Sequence, residues 1–160
     1  MIQRVQTLFL AGIVICMILF NVFPIWEKTD PQTGEAVTLS SLALTFTDAS
    51  GDITSDTTSV WYLMALSIMV AGLTLYEIFR YDNRLLQMKI GFGNTILFIA
   101  IVGISIYIIL QIGEPAILPT QMGNFGFAFF SVLIAMLLNS FANRFIRRDE
   151  KLVRSVDRIR

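Results

Sequence analysis

Histidine is absent from the 160 residues, and cysteine occurs once, as Cys16. The first absence removes imidazole ligation of haem or metal, and with it the commonest general base. The second removes a disulfide framework. Glycine and proline are modest, at 10 and 4 residues, which excludes a collagen-like chain. Charge is scarce too. Charged residues make up 15% of the sequence, against about 25% in a soluble domain. Apolar residues take their place, at 55% of the chain and a mean hydropathy of +0.69. A soluble domain holds about 45–50% apolar residues, so the composition points to a membrane.

Four stretches reach the roughly 20 apolar residues a helix needs to cross a hydrocarbon core about 30 Å thick. They cover residues 7–25, 60–79, 92–112 and 125–145. Trp61, Tyr62 and Tyr76, near the ends of the second, fit interfacial aromatic belts. Arg4 ahead of an apolar run resembles the start of a signal peptide. The following segment FNVFPIW has no small-x-small cleavage pattern, so the first stretch reads as an uncleaved anchor. The expected fold is an all-α integral membrane protein, a four-helix transmembrane bundle.

The basic residues set an orientation. Arg4 precedes the first span; Arg80, Arg84 and Lys89 lie between the second and third. Arg144, Arg147, Arg148, Lys151, Arg154, Arg158 and Arg160 follow the fourth. Only Lys28 lies in the two remaining loops, beside Glu27, Asp30, Glu35, Asp48, Asp52, Asp56 and Glu114. Eleven of the 12 basic residues thus share one side, which the positive-inside rule makes cytoplasmic. Both termini are expected inside.

The external loop, residues 26–59, has turn signals at Asp30-Pro-Gln-Thr-Gly34 and Asp48-Ala-Ser-Gly51. Between them, Leu42, Leu44 and Phe46 alternate with smaller residues. A small β-like hairpin or cap on the bundle is expected. Asp48, Ser50, Asp52 and Asp56 resemble the opening of a calcium loop, but the required Gly is missing and position twelve is Ser59 rather than Glu. A solvated acidic turn is the simpler reading. The second external loop contains Pro115 and Pro119 and reads as a tight antiparallel turn.

The cytoplasmic tail, residues 146–160, places Leu152, Val153, Val156 and Ile159 at the spacing of one helix face, continuing from Phe145. Arg154 and Arg158 flank that stripe, and Glu150 stands four residues before Arg154. An amphipathic helix is expected. It would dock on a protein partner, rest on anionic lipid, or serve only as a topology signal.

Three segments carry a family resemblance. The opening Met1-Ile2-Gln3-Arg4-Val5-Gln6-Thr7, the inner loop Asn83-Arg84-Leu85-Leu86-Gln87-Met88-Lys89, and the tail Asp149-Glu150-Lys151-Leu152-Val153-Arg154-Ser155-Val156-Asp157-Arg158 resemble "domain of unknown function 4293". That family consists of small four-span bacterial membrane proteins. The resemblance implies the same topology and an inner-membrane address, and it brings no catalytic residues.

Chemistry is hard to assemble from this sequence. No Cys cluster, Gly-rich phosphate loop or Ser-Lys pair is visible, so no enzyme activity, metal or cofactor is expected, and no nucleic-acid partner. Cys16 reads as a small packing residue. Glu77, three residues before Arg80, is the one ionisable group within a span; snorkelling or pairing with Arg80 would explain it. Ser131, Ala135, Asn139 and Asn143 recur every four residues and read as an interior face. Ser67, Ala71 and Thr74 do the same on the second span, as do Ala100, Gly103 and Tyr107 on the third. Two functions follow. One is a non-catalytic accessory or assembly subunit, docking through Arg84 and Lys89 of the inner loop and Leu152, Val153, Arg154, Val156, Arg158 and Ile159 of the tail. The other is a small oligomeric transporter or channel using Glu77 and Asn139. The expected partners are the lipid bilayer and either a membrane protein or further copies of the chain.

Overall fold

The computed structural model describes residues 2–54, 57–80, 83–117 and 122–157, with side chains placed for 5–54, 57–80, 83–117 and 122–150. Helix α1 runs Ile2–Val22 and stops just short of Pro24. Helix α2 spans Trp61–Phe79. Helix α3 spans Arg84–Ile108 and begins where the Asn83 Oδ1 accepts the Leu86 N–H at 3.0 Å, an N-cap. Its start lies well before residue 92, because the cap and not the onset of hydropathy sets where a helix begins. A π-helical turn, Ile109–Gly113, carries α3 into the short α4, Glu114–Ala116. Pro115, which has no N–H to continue the ladder, lies in the last turn of this continuous helix, directly after the π turn. Helix α5, Phe127–Asp157, is 31 residues long, or about 46 Å at 1.5 Å per residue.

Four of these helical segments are long and apolar enough to cross a membrane, and together they form a four-helix bundle. Helix α1 packs between α2 and α5, and α3 closes the ring against the same two. Connections between neighbours alternate direction, so the N-terminus, the α2–α3 junction and the end of α5 share one end, the tail end. The other is the sheet end.

Polar side chains mark the helix contacts. Asn21 donates to the Ser67 Oγ at 2.8 Å between α1 and α2. Ser131 donates to the Cys16 carbonyl at 3.3 Å between α1 and α5. Thus the Ser131–Ala135–Asn139 face of α5 and the Ser67–Thr74 line of α2 are interior. On α3 the expectation fails. Gly103 and Tyr107 face outward, while Gln87, Gly91, Asn94, Phe98, Ile101 and Ser105 are buried. Small residues on an evenly apolar helix do not choose a face; the amides and hydroxyls that need partners do.

The expected hairpin is a five-stranded antiparallel sheet. Strands β1 (Trp26–Thr29), β2 (Ala36–Leu39), β3 (Ala43–Thr47) and β4 (Thr58–Ser59) come from the first loop. Strand β5 (Asn124–Phe125) comes from the second. The order is β4-β3-β2-β1-β5. Trp26, Val37, Leu39 and Leu44 lie buried on one face, joining the hydrophobic core continuous with the bundle. Gly123 has no side chain because a Cβ there would enter the Trp26 indole.

Candidate functional site

Polar groups gather in the tail-end half of the bundle. Gln6 of α1 donates to the Gln87 Oε1 of α3 at 3.1 Å, and Gln87 donates to the Glu77 carbonyl of α2 at 3.0 Å. One turn deeper, Asn94 donates to the Thr74 Oγ1 at 3.1 Å. On the opposite side, Asn139 donates to the Gly91 carbonyl and the Thr95 Oγ1, both at 2.9 Å. Asn143, one turn along α5, is half-buried and fills the space that a Cβ on Gly91 would need. Every one of the four spans contributes to this layer.

Glu77 lies inside the same half. Its side chain is fully buried, and neither carboxylate oxygen has a hydrogen-bond partner among the described residues. The expected escape to the surface or pairing with Arg80 does not occur, since Arg80 stands exposed and Glu77 shares the inward face of α2 with Thr74 and Val70. The Asn94 and Asn139 Oδ1 atoms are also without donors. The layer therefore holds an excess of acceptors, in surroundings where unmet polar groups are costly.

Below the layer, Arg84 forms a bidentate contact with the start of the tail. Its Nη2 lies 3.0 Å from the Asp149 Oδ2, and its Nη1 donates to the Asp149 carbonyl at 3.0 Å. Arg84 is thus committed to bracing α5 and is not a free docking residue. Lys89 is exposed. The α5 backbone continues as helix through Leu152, Val153, Arg154 and Val156 to Asp157, and Arg158 and Ile159 lie outside the described residues. The three segments that carry the family resemblance, at the two ends of the chain and at the α2–α3 junction, converge here through Gln6–Gln87 and Arg84–Asp149.

The sheet end holds a partly buried ion pair. Lys28 Nζ lies 2.7 Å from the Glu114 Oε2 and donates to the Glu114 carbonyl at 2.9 Å; the Glu114 Oε1 accepts the Gly123 N–H at 3.0 Å. This ties β1 of the first loop to the second loop just before β5. A signal was present in the lone basic residue among the acidic loops. Its partner was not identifiable without the sheet.

Asp48 acts within its own turn. Its Oδ1 accepts N–H groups of Ser50 and Asp52 and the Ser50 hydroxyl. The hydroxyl bond foremost, then the backbone bonds, holds this exposed carboxyl below its ordinary range. These bonds explain the residue as a turn-former; Asp56 lies outside the described residues. Cys16 is buried between helices. No group of three His, Cys, Asp or Glu side chains stands close enough to hold a metal among the described residues.

No curated protein matches the chain. The family model "Domain of unknown function (DUF4293)" matches residues 2–159. With a match over nearly its whole length and four helices fit to cross a bilayer, this multi-pass membrane protein belongs to the DUF4293 family.

Proposed function

We propose that the protein is a non-catalytic accessory or assembly subunit of a bacterial inner-membrane complex, docking through its tail end. In this reading the tail end is cytoplasmic, with both termini inside and the sheet outside, as the distribution of the 12 basic residues favours. One observation carries the docking assignment. Helix α5 does not stop at the membrane boundary but runs unbroken to Asp157. A span uses about 20 residues, so roughly ten more, on the order of 15 Å, extend beyond it. The apolar spacing of Leu152, Val153 and Val156 in the sequence falls on this extension, and in this reading a protein partner covers it. The Arg84–Asp149 pair fixes the direction in which it leaves.

A second reading, a small oligomeric transporter or channel, draws on Asn139 and on Glu77, which is buried without a hydrogen-bond partner among the described residues. Against it, the interior toward the sheet end is filled by Met17, Phe20, Leu63, Phe98 and Ile101, which interrupt any polar route.

The test is purification of the full chain from native membranes in mild detergent. Replacing Leu152, Val156 and Ile159 with Ser preserves every charge and should abolish a stoichiometric partner while leaving topology intact. A partner retained at wild-type stoichiometry would refute tail docking. An unpartnered homo-oligomer whose ion flux in vesicles is lost in Glu77→Gln would favour the second reading.

A further inference from the structure

We infer that the groove between α3 and α5 at the tail end is a binding site for the headgroup of an anionic phospholipid, one bearing two phosphates. The groove has a volume of about 690 Å³ and is lined by Phe92, Ser140, Asn143, Arg144, Arg147 and Arg148, with Thr95 at its base. Three features identify the ligand.

The first is charge. Three arginines line the groove and no carboxylate does so among the described residues, in a chain whose 12 basic and 12 acidic residues cancel overall. Asp149, next to Arg148, does not line the groove and is held by Arg84. Guanidinium groups bind phosphate through paired, charge-assisted hydrogen bonds, and three suit two phosphates better than one.

The second is depth. Counting about 20 residues from the start of α5 at Phe127 puts Arg144–Arg148 at the edge of the hydrocarbon, where phosphates lie. Basic pockets between spanning helices at this level are suited to lipid headgroups. The third is the mixed lining. Phe92 is 65% exposed, offering an apolar surface to the glycerol and first acyl carbons. Ser140 and Asn143 line the groove between that ring and the arginines, and Ser140 is exposed on the outside of the bundle. Polar groups facing hydrocarbon would be costly; polar groups facing a headgroup are matched. A soluble anion would leave Phe92 without a role.

This inference does not depend on the docking assignment, since the groove meets the leaflet at this end whichever partner the tail holds. The full chain is reconstituted in phosphatidylcholine nanodiscs containing cardiolipin, and the lipid that remains bound after extraction into mild detergent is measured by native mass spectrometry. The wild type should retain cardiolipin in preference to phosphatidylcholine. With each arginine worth about fivefold near an anionic surface, the Arg144→Gln, Arg147→Gln, Arg148→Gln variant should retain it on the order of a hundredfold more weakly. Ser140→Trp keeps every charge, fills the groove and should also lose the lipid, so it decides the matter if the arginine variant fails to insert. Arg80→Gln, which removes an exposed charge at the end of α2 that does not line the groove, should retain it. Absence of a cardiolipin preference, retention in Ser140→Trp, equal loss in Arg80→Gln, or complete displacement by inorganic phosphate would each overturn the assignment.

Discussion

The two ends of the bundle bury polar groups in opposite ways. At the sheet end, the Lys28 ammonium meets both a carboxylate and a carbonyl of Glu114, and the other Glu114 oxygen accepts a backbone N–H. Trp26 fills the space beneath, completely buried. At the tail end, Glu77, Asn94 and Asn139 are buried and keep oxygen atoms without donors among the described residues. Satisfied buried networks rigidify a structure, whereas partly satisfied ones hold unspent interaction capacity. The contrast teaches that the sheet end closes the bundle with matched polar partners, while the tail end buries acceptors that the described residues leave unmatched.

Mutations should separate the ends. The largest effect belongs to Trp26→Ala, which removes the largest fully buried side chain and should cost about 3–5 kcal/mol; thermal unfolding in detergent would measure it. Next, Lys28→Met leaves the Glu114 carboxylate unpaired. Because that carboxylate is partly exposed, the loss should be about 2 kcal/mol, below the range for a fully buried pair. Adding Glu114→Gln should restore most of it, since a double-mutant cycle isolates the pair. A cycle with no coupling would mean that the two loops are held by the sheet alone.

At the tail end the costs should be smaller. Asn139→Leu loses two hydrogen bonds but also removes an acceptor without a donor, so about 1–2 kcal/mol is expected. A loss as large as that of Trp26→Ala would erase the distinction between the ends.

The smallest effect concerns pH. The Asp48 carboxyl is held below its ordinary value in the folded chain. Its contribution is therefore fully present above the unfolded value, near about 3.9, and disappears as pH falls through the lower folded value. Between neutral pH and about pH 5 the amides of the Asp48 turn should keep the same protection once the intrinsic pH dependence of exchange is divided out. Loosening should begin only in more acidic solution, and Asp48→Asn should remove that dependence. Loosening already near pH 6 would exclude this carboxyl as the cause.

Hydropathy made the four spans legible, because lipid imposes a length of apolar chain that few other structures require. The interior faces of α2 and α5 were legible for a related reason: Ser67, Thr74, Ser131 and Asn139 are polar exceptions at helical spacing. Helix α3 was not, since its small residues are spread around an apolar cylinder and its buried Asn94 finds a partner only on α2. The sheet was half legible. Alternation in the first loop suggested strands, but β5 is two residues long and lies some 65 residues beyond β4 in the chain. The tail-end layer was the hardest to foresee. Glu77 and Arg80 are neighbours in sequence, and only the direction in which α2 turns its buried face shows that they do not pair.

The central claim is that the tail end, not the sheet end, meets the partner. A photo-crosslinking residue placed at position 152 of the tail, and in a second variant at the exposed position 27 of β1, tests it in native membranes. The account predicts a discrete protein adduct from position 152 and none from position 27. Adducts from position 27 alone would place the working surface on the sheet and contradict it.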